Sequence, residues 1–176
     1  GSRPDSDISM ATSKFPTKLN DAQLALSSIG QYDVAASPLQ MAMVAAGIAN
    51  DGVLMEPYLT KSVRAANLQT VWTHKDTPMS TPMTRESAKQ LQQMMVSVVN
   101  NGTGRNARID GVTVGGKTGT AQTSPDKPPY AWFVGWSDKP KVAVAVFVES
   151  SNTERSEIAG GRLGAPIARD VIEALR

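Results

Sequence analysis

Apolar residues recur along this chain with two periods, and the changes between them mark its elements. After Ser37-Pro38-Leu39-Gln40, the residues Leu39, Ala42, Met43, Ala46 and Ala49 return at helical spacing. Ser37 suits the cap of that helix, Pro38 its first position, and Gln40 the completion of a capping box. Asn50-Asp51-Gly52 stops it. A clearer helix follows Pro82 and a capping Thr84, with Ala88, Leu91, Met94, Met95, Val98 and Val99 on one face. It ends at Asn100-Asn101-Gly102, and its methionines read as core filler. Gly102-Thr103-Gly104-Arg105-Asn106 is a turn. Gly160-Gly161 leads into a terminal helix with Ile167, Val171, Ile172 and Leu175 on one face.

Strand-like stretches cover residues 53–64, interrupted by Pro57, and 70–75. Three more follow the second helix, at 112–123, 131–137 and 141–149. Their connections, 124–130 and 138–140, are short, so these strands are expected to be antiparallel neighbours. Residues 142–148 are apolar on both faces, which predicts a sheet covered on both sides. The fold class is therefore α+β, a mostly antiparallel β-sheet flanked by helices. Residues 3–18 are polar and punctuated by proline, and read as a loop or an ordered lead-in. Gly1-Ser2 reads as an expression scar and is left out of the fold.

Composition narrows the function classes. With 176 residues and 40% apolar content, the chain suits one globular domain. A net charge of +2 with scattered basic residues gives no argument for nucleic acid. Cysteine is absent, so there is no disulfide framework and no thiol nucleophile. His74, the single histidine, is expected to be a polar position on strand 70–75, and neither a metal site nor a cofactor is called for. The longest apolar run, Val142 to Val148, is seven residues and cannot span a membrane.

The candidate chemistry lies in Gly116-Lys117-Thr118-Gly119-Thr120. Lys117 supplies a fixed positive charge. Thr118 and Thr120 project from one face of a strand, and Gly119 between them leaves the other face open to close approach. Such a strand suits a carboxylate or a phosphate. Gly111 to Thr118 also satisfies the Walker A spacing, G-x-x-x-x-G-K-T, so a P-loop nucleotide-binding domain is one reading. That motif needs a glycine loop followed by a helix. Here Val112-Thr113-Val114 alternates like a strand, and Pro125 follows soon after.

The rival reading is the Lys-Thr-Gly motif of the penicillin-interacting serine enzymes. Ser28-Ile29-Gly30-Gln31, with Ser37-Pro38-Leu39-Gln40-Met41-Ala42 and Ile48-Ala49-Asn50-Asp51-Gly52, resembles the stretch those enzymes carry before the last part of the domain. Ala131-Trp132-Phe133-Val134-Gly135-Trp136 resembles their next sheet strand, and Gly102-Thr103-Gly104 stands before the lysine strand. The likeness runs over residues 28–176 and is strongest to class B penicillin-binding proteins, most of all the A type of actinobacteria. A class D serine β-lactamase has comparable strands, but the Ser-Pro-Leu-Gln-Met-Ala helix fits the transpeptidases better.

That family uses Ser-x-x-Lys, then Ser-x-Asn, then Lys-Thr-Gly, and only the third has a match in context. Ser124-Pro125-Asp126-Lys127 fits the first by letter, yet its prolines forbid the helix that the chemistry needs. Ser150-Ser151-Asn152 fits the second but follows the third. The expectation is that residues 3–176 are the C-terminal portion of a penicillin-binding transpeptidase domain, cut after the second motif.

The resemblance implies a β-lactamase/transpeptidase-like fold and a parent enzyme that cross-links peptidoglycan stem peptides through a serine acyl-enzyme. It implies β-lactams as inhibitors and an N-terminal half of the domain as partner. It also implies a membrane-anchored parent at the extracytoplasmic face of a bacterial cell. Lys117, Thr118, Gly119 and Thr120 would be catalytic, Thr118 and Thr120 would bind the substrate carboxylate, and the Thr120 N–H would form half an oxyanion hole. Alone, the chain is expected to be inactive, and a half-domain with an exposed sheet edge could self-associate. Loop 124–130 would either rim the cleft or merely connect strands. Trp132 and Trp136 are expected to be core.

Overall fold

A computed structural model of the chain describes residues 11–122 and 126–176. Four helices run Asp21–Ser28 (α1), Pro38–Ala49 (α2), Arg85–Asn101 (α3) and Ala165–Ala174 (α4). The strands are Leu54–Met55 (β1), Ser62–Arg64 (β2), Thr70–Thr73 (β3), Pro78–Ser80 (β4), Val114–Ala121 (β5), Tyr130–Asp138 (β6) and Lys141–Val148 (β7). β1 pairs with β4 and β2 with β3, as small antiparallel ribbons between α2 and α3. The main sheet has the order β5-β6-β7 and is antiparallel throughout, as the short connections require.

The predicted caps form where local chemistry dictates them. Ser37 Oγ accepts the Gln40 N–H and Thr84 Oγ1 accepts the Ser87 N–H. A reciprocal capping box closes α1 instead, where Asn20 and Gln23 satisfy each other's backbone N–H groups. This helix was not foreseen. Its signal, Asn20-Asp21-Ala22-Gln23, stands before a segment too short and too polar to show a helical stripe. Residues 3–10 of the expected lead-in lie outside the described residues; in the rest of it, Lys14 is bridged to Ala35 and Ser13 Oγ accepts the Ser37 N–H.

The two sheet faces hold different cores. On one, Phe133 and Val144 pack with Ala165, Ala168 and Ile172 of α4 and with Val99 of α3. On the other, Trp136 packs with Ile48 of α2 and Met95 of α3. Several expected faces rotate. Met94, Ile167, Val171 and Leu175 are exposed, and α3 and α4 meet the sheet through Met95, Val99, Ala165, Ala168 and Ile172 instead. Ala49 is exposed while Ala45 and Ile48 are buried. β7 is covered on both faces only around Val144. Among the described residues it has a strand on one side only, and Phe147 near its end is exposed.

Two sets of glycines make this packing possible. The Gly115 and Gly116 positions are occupied by rings from β6: a Cβ on Gly115 would lie 2.4 Å from the Trp136 indole, and one on Gly116 would lie 2.3 Å from the Phe133 ring. A π-helical turn, Gly160–Gly164, lies on the sheet itself. A Cβ on Gly160 would sit 1.8 Å from the Trp132 carbonyl oxygen, one on Gly161 2.1 Å from the Thr103 carbonyl oxygen, and one on Gly164 2.9 Å from Phe133 Cβ.

The end of α2 is clamped to α3 by Asp51, whose φ of 54° lies in the left-handed region that Asp and Asn tolerate. Its carboxylate meets Lys89 Nζ at 2.7 Å and Arg85 Nε at 3.2 Å, and accepts Gln92 Nε2 at 3.2 Å. Gln92 also donates to the Ile48 carbonyl at 2.7 Å. The Lys89 and Gln92 hydrogen bonds, aided by the charges of Lys89 and Arg85, hold the Asp51 carboxyl below its ordinary range.

Two outcomes are expected. Gly160→Ala should lower stability by about 3 kcal/mol, read by urea unfolding, because the obstacle is backbone. A loss below about 0.5 kcal/mol would mean that the turn can lift off the sheet. For Asp51, a depressed folded pKa gives stability that is present above the unfolded value and lost as pH falls through the folded one. Asp51→Asn should therefore melt below wild type at neutral pH, with the gap closing as pH falls below about 4. A gap that stays constant down to about pH 2 would show that the charge is irrelevant.

Candidate active site

Lys117-Thr118-Gly119-Thr120 lies in the second half of β5, which pairs with β6 and has no strand on its other side among the described residues. The segment is continuous strand from Val114 to Ala121, so the Walker A spacing encloses neither a phosphate loop nor a helix start. That reading falls on the backbone alone.

Register and alternation set the motif's side chains on two faces of the strand, and Thr118, Gly119 and Thr120 border a groove on each side. Lys117 is opposite Val134 and Gly119 opposite Trp132 on one face, while Thr118 is opposite Phe133 and Thr120 opposite Ala131 on the other. The lysine-side groove, about 520 Å³, is bounded by Ile29, Gly30 and Gln31 of the loop after α1, by all four motif residues from Lys117 to Thr120, and by Trp132 and Phe147. It is mostly apolar. Trp132 and Phe147 pack with ring centroids 4.6 Å apart, and Tyr130 meets Phe147 edge-on at 5.1 Å. Of the two expected core tryptophans, Trp136 is buried, whereas Trp132 is half-buried and lines this groove. Gly30 turns the loop at φ 78°, which brings Ile29 and Gln31 to the wall.

The threonine-side groove, about 560 Å³, is bounded by Thr103, Arg105 and Asn106, by Thr118 and Thr120, and by Gly160, Gly161 and Arg162. Thr103 and Thr118 share a hydrogen bond of 2.8 Å between their hydroxyls. Asn106 Nδ2 donates to the Gly161 carbonyl at 2.8 Å. The close approach expected at Gly119 occurs, but from this side: a Cβ on Gly160 would lie 2.9 Å from the Gly119 nitrogen. On its own side, Gly119 faces the Trp132 Cβ, 3.2 Å from where a Cβ would stand. The Lys117 ammonium donates to the Thr118 carbonyl at 2.6 Å.

Other candidates fall apart from this strand. His74 stacks on Tyr58 at 3.7 Å beside Trp72, and no cluster of metal-ligating side chains exists among the described residues. Ser150-Ser151-Asn152 follows β7 and lines neither groove. Of the Ser124-x-x-Lys127 match and of loop 124–130, residues 124 and 125 lie outside the described residues, as does Thr123 at the end of the expected strand. The described part of the loop borders the site, since Pro129 shares a cavity of about 660 Å³ with Thr120, Gln122, Glu154 and Arg155. Sequence reasoning missed Ile29, Gln31 and Phe147 as groove walls, and only the Gly30 turn hinted at the first two.

An antiparallel sheet between helices, with Lys-Thr-Gly-Thr on its one-sided strand, defines the β-lactamase/transpeptidase class of fold. The penicillin binding protein transpeptidase domain matches residues 1–173, and the chain belongs to that family. It is 40% identical to the peptidoglycan D,D-transpeptidase PbpA of Mycolicibacterium smegmatis, over 97% of this chain and 35% of that protein. It is likewise 40% identical to PbpA of Mycobacterium tuberculosis, over 88% of this chain and 32% of that one. The crystal structure of PBPA from M. tuberculosis superposes with a TM-score of 0.84 at 38% identity, covering 94% of this chain and 40% of that chain. An imipenem acyl-enzyme complex of the same protein gives a TM-score of 0.81 at 37% identity, covering 94% of this chain and 37% of that one. The chain thus spans about a third of the length of the curated relatives it matches.

Proposed function

We propose that this chain is the substrate-carboxylate and oxyanion portion of a peptidoglycan D,D-transpeptidase whose nucleophile lies outside it. The observation that carries the reading is the half-open strand β5, with Lys117, Thr118 and Thr120 at the junction of two grooves. The family membership and the D,D-transpeptidase names of the relatives support it. Within the 176 residues, the only Ser-x-x-Lys is Ser124 to Lys127, where Pro125 and Pro128 exclude a nucleophile helix.

In the proposed reaction, a serine oxygen attacks the carbonyl carbon of the penultimate D-alanine of a stem peptide, and its proton passes to the lysine of the missing motif. That lysine passes the proton to the amide nitrogen, the peptide C–N bond breaks, and the terminal D-alanine leaves as the free amine. An amine on a second stem then attacks the ester, forms the cross-link and returns the proton to serine. β-Lactams acylate the same serine and are not released. The anchored, extracytoplasmic setting of such an enzyme belongs to this proposal too.

The chain's own residues would serve the binding steps. The Thr118 carbonyl, reached by the Lys117 ammonium, belongs to the edge of β5 turned away from β6. Alternation gives the Thr120 N–H the same direction, that of an oxyanion donor. The threonine hydroxyls would hold the terminal carboxylate, each charge-assisted bond contributing roughly 1.5–3 kcal/mol.

Mixed with benzylpenicillin, this chain should show no mass increase by intact-protein mass spectrometry, and a stoichiometric adduct on one of its serines would overturn the proposal. Continuous with a nucleophile-bearing N-terminal half, it should form a stable adduct, and Lys117→Met should slow acylation by about 100-fold. Rapid turnover of the β-lactam in place of a stable adduct would favour the β-lactamase alternative.

A further inference from the structure

The ribbon β2–β3 carries large apolar side chains that no core of the molecule uses. Tyr58, Leu59, Val63, Leu68, Val71 and Trp72 are all exposed on it or at its base. Its two strands pack on each other, and on no other helix or strand to a comparable extent. A ribbon so placed is marginal by itself, and its rings supply the order. His74 stacks on Tyr58 with centroids 3.7 Å apart and meets Trp72 edge-on at 6.1 Å. The His74 N–H donates to the Lys61 carbonyl, while its Nε2 is buried without a hydrogen-bond partner among the described residues. The imidazole therefore serves as a packing ring that holds the other two. Trp72 and His74 alternate onto one face, which Val63, opposite Trp72, shares. Charge on the ribbon has one sign. From Pro57 to Lys75 the chain carries Lys61, Arg64 and Lys75 and no acid, Glu56 and Asp76 standing just outside. None of the three cations forms an ion pair among the described residues. The ribbon also stands away from the motif. α2 has Met41, in its first turn, on the wall of the lysine-side groove, and its end places Ile48 against Trp136, opposite Gly115. From Gly115 to Thr120 is about 17 Å of strand. No residue of the ribbon lines either groove.

Resting on the function proposed above, we infer that the Tyr58–Trp72 face of this ribbon binds the glycan strand of peptidoglycan. A pyranose ring has an apolar face of C–H groups, which packs on the negative face of an indole or phenol ring. Two rings held by a third lose little freedom on binding, so the platform is preorganised. Thr70, which alternation places on the Trp72 face, and the heads of Lys61 and Arg64 supply donors to hydroxyl and acetamide groups. Such interleaving of polar and apolar side chains suits a sugar better than a lipid surface, which would take an apolar face. The stem peptides make peptidoglycan an anion through their carboxylates, and a cationic ribbon free of acids complements it. A strand held there keeps its stem peptides at raised concentration near β5.

The test uses the whole transpeptidase containing this chain and two probes: purified peptidoglycan sacculi, and glycan strands stripped of their stem peptides. Trp72→Ala should weaken binding to both by about ten-fold. Trp72→Phe, which keeps an aromatic plane, should recover most of that loss. Lys61→Gln combined with Arg64→Gln should weaken binding to sacculi by about five-fold at low salt and to stripped strands by less, the difference vanishing at about 0.5 M salt. Every variant should melt with the wild type and be acylated by benzylpenicillin within about two-fold of it, because the ribbon lies apart from both grooves. Wild-type binding by Trp72→Ala, a loss that Trp72→Phe shares in full, or a loss confined to the cation variant would overturn the inference. So would a wild type that ignores both probes and binds vesicles of anionic phospholipid. In each of these cases, acylation by benzylpenicillin leaves the transpeptidase reading standing. A wild type that benzylpenicillin does not acylate would overturn both.

Discussion

The constraint on which the rest of this structure depends is the contact of the turn Gly160–Gly164 with the main sheet. Backbone meets backbone there, with no room for a Cβ against the Trp132 carbonyl or the Thr103 carbonyl. That approach seats α4 on the sheet, so that small residues such as Ala165 and Ala168 suffice to close the core around Phe133. It also sets the width of the threonine-side groove, because Gly160 and Gly161 form one wall and β5 another. A helix seated one side chain higher would move that wall by several ångströms. The site geometry is therefore tied to glycines outside the motif.

Much of the fold was legible because local signals and burial agree. Proline, capping hydroxyls and stop signals set the limits of α2 and α3, and short connections required antiparallel strands. The errors share one cause. Sequence pattern favours large apolar residues as the buried ones, yet Ile167, Val171, Leu175 and Met94 are exposed while alanines are buried. Where glycines bring elements into close contact, small residues occupy the interface, and periodicity of large side chains loses its meaning. Likewise β7, apolar along its length, is covered fully only near its middle.

The motif strand was legible from its residues, but the division of its chemistry was not. Alternation predicts that Thr118 and Thr120 share a face. What lies on that face depends on the turn 102–107 and the turn Gly160–Gly164, which are far apart in sequence. Gly116 stands in the candidate block, yet it and Gly115 prove to be sockets for Phe133 and Trp136. The phosphate-loop spacing shows the same limit from the other direction. Eight residues matched a motif, yet from Val114 onward the backbone is a strand.

A strand with an unpaired side is a hazard for edge-to-edge association, and this chain limits the exposure without closing the strand. α3 packs against β5, and the Lys117 ammonium occupies the Thr118 carbonyl. Gly119 and Thr120 continue the strand beyond it and border the groove that Lys117 also lines. An extended peptide that ends in a carboxylate meets complementary charge there, whereas a second neutral strand would have to desolvate Lys117 to pair. An ammonium held on an edge carbonyl thus shields part of the strand. For that reason the open side of β5 must be judged by its charges as much as by its hydrogen-bonding groups.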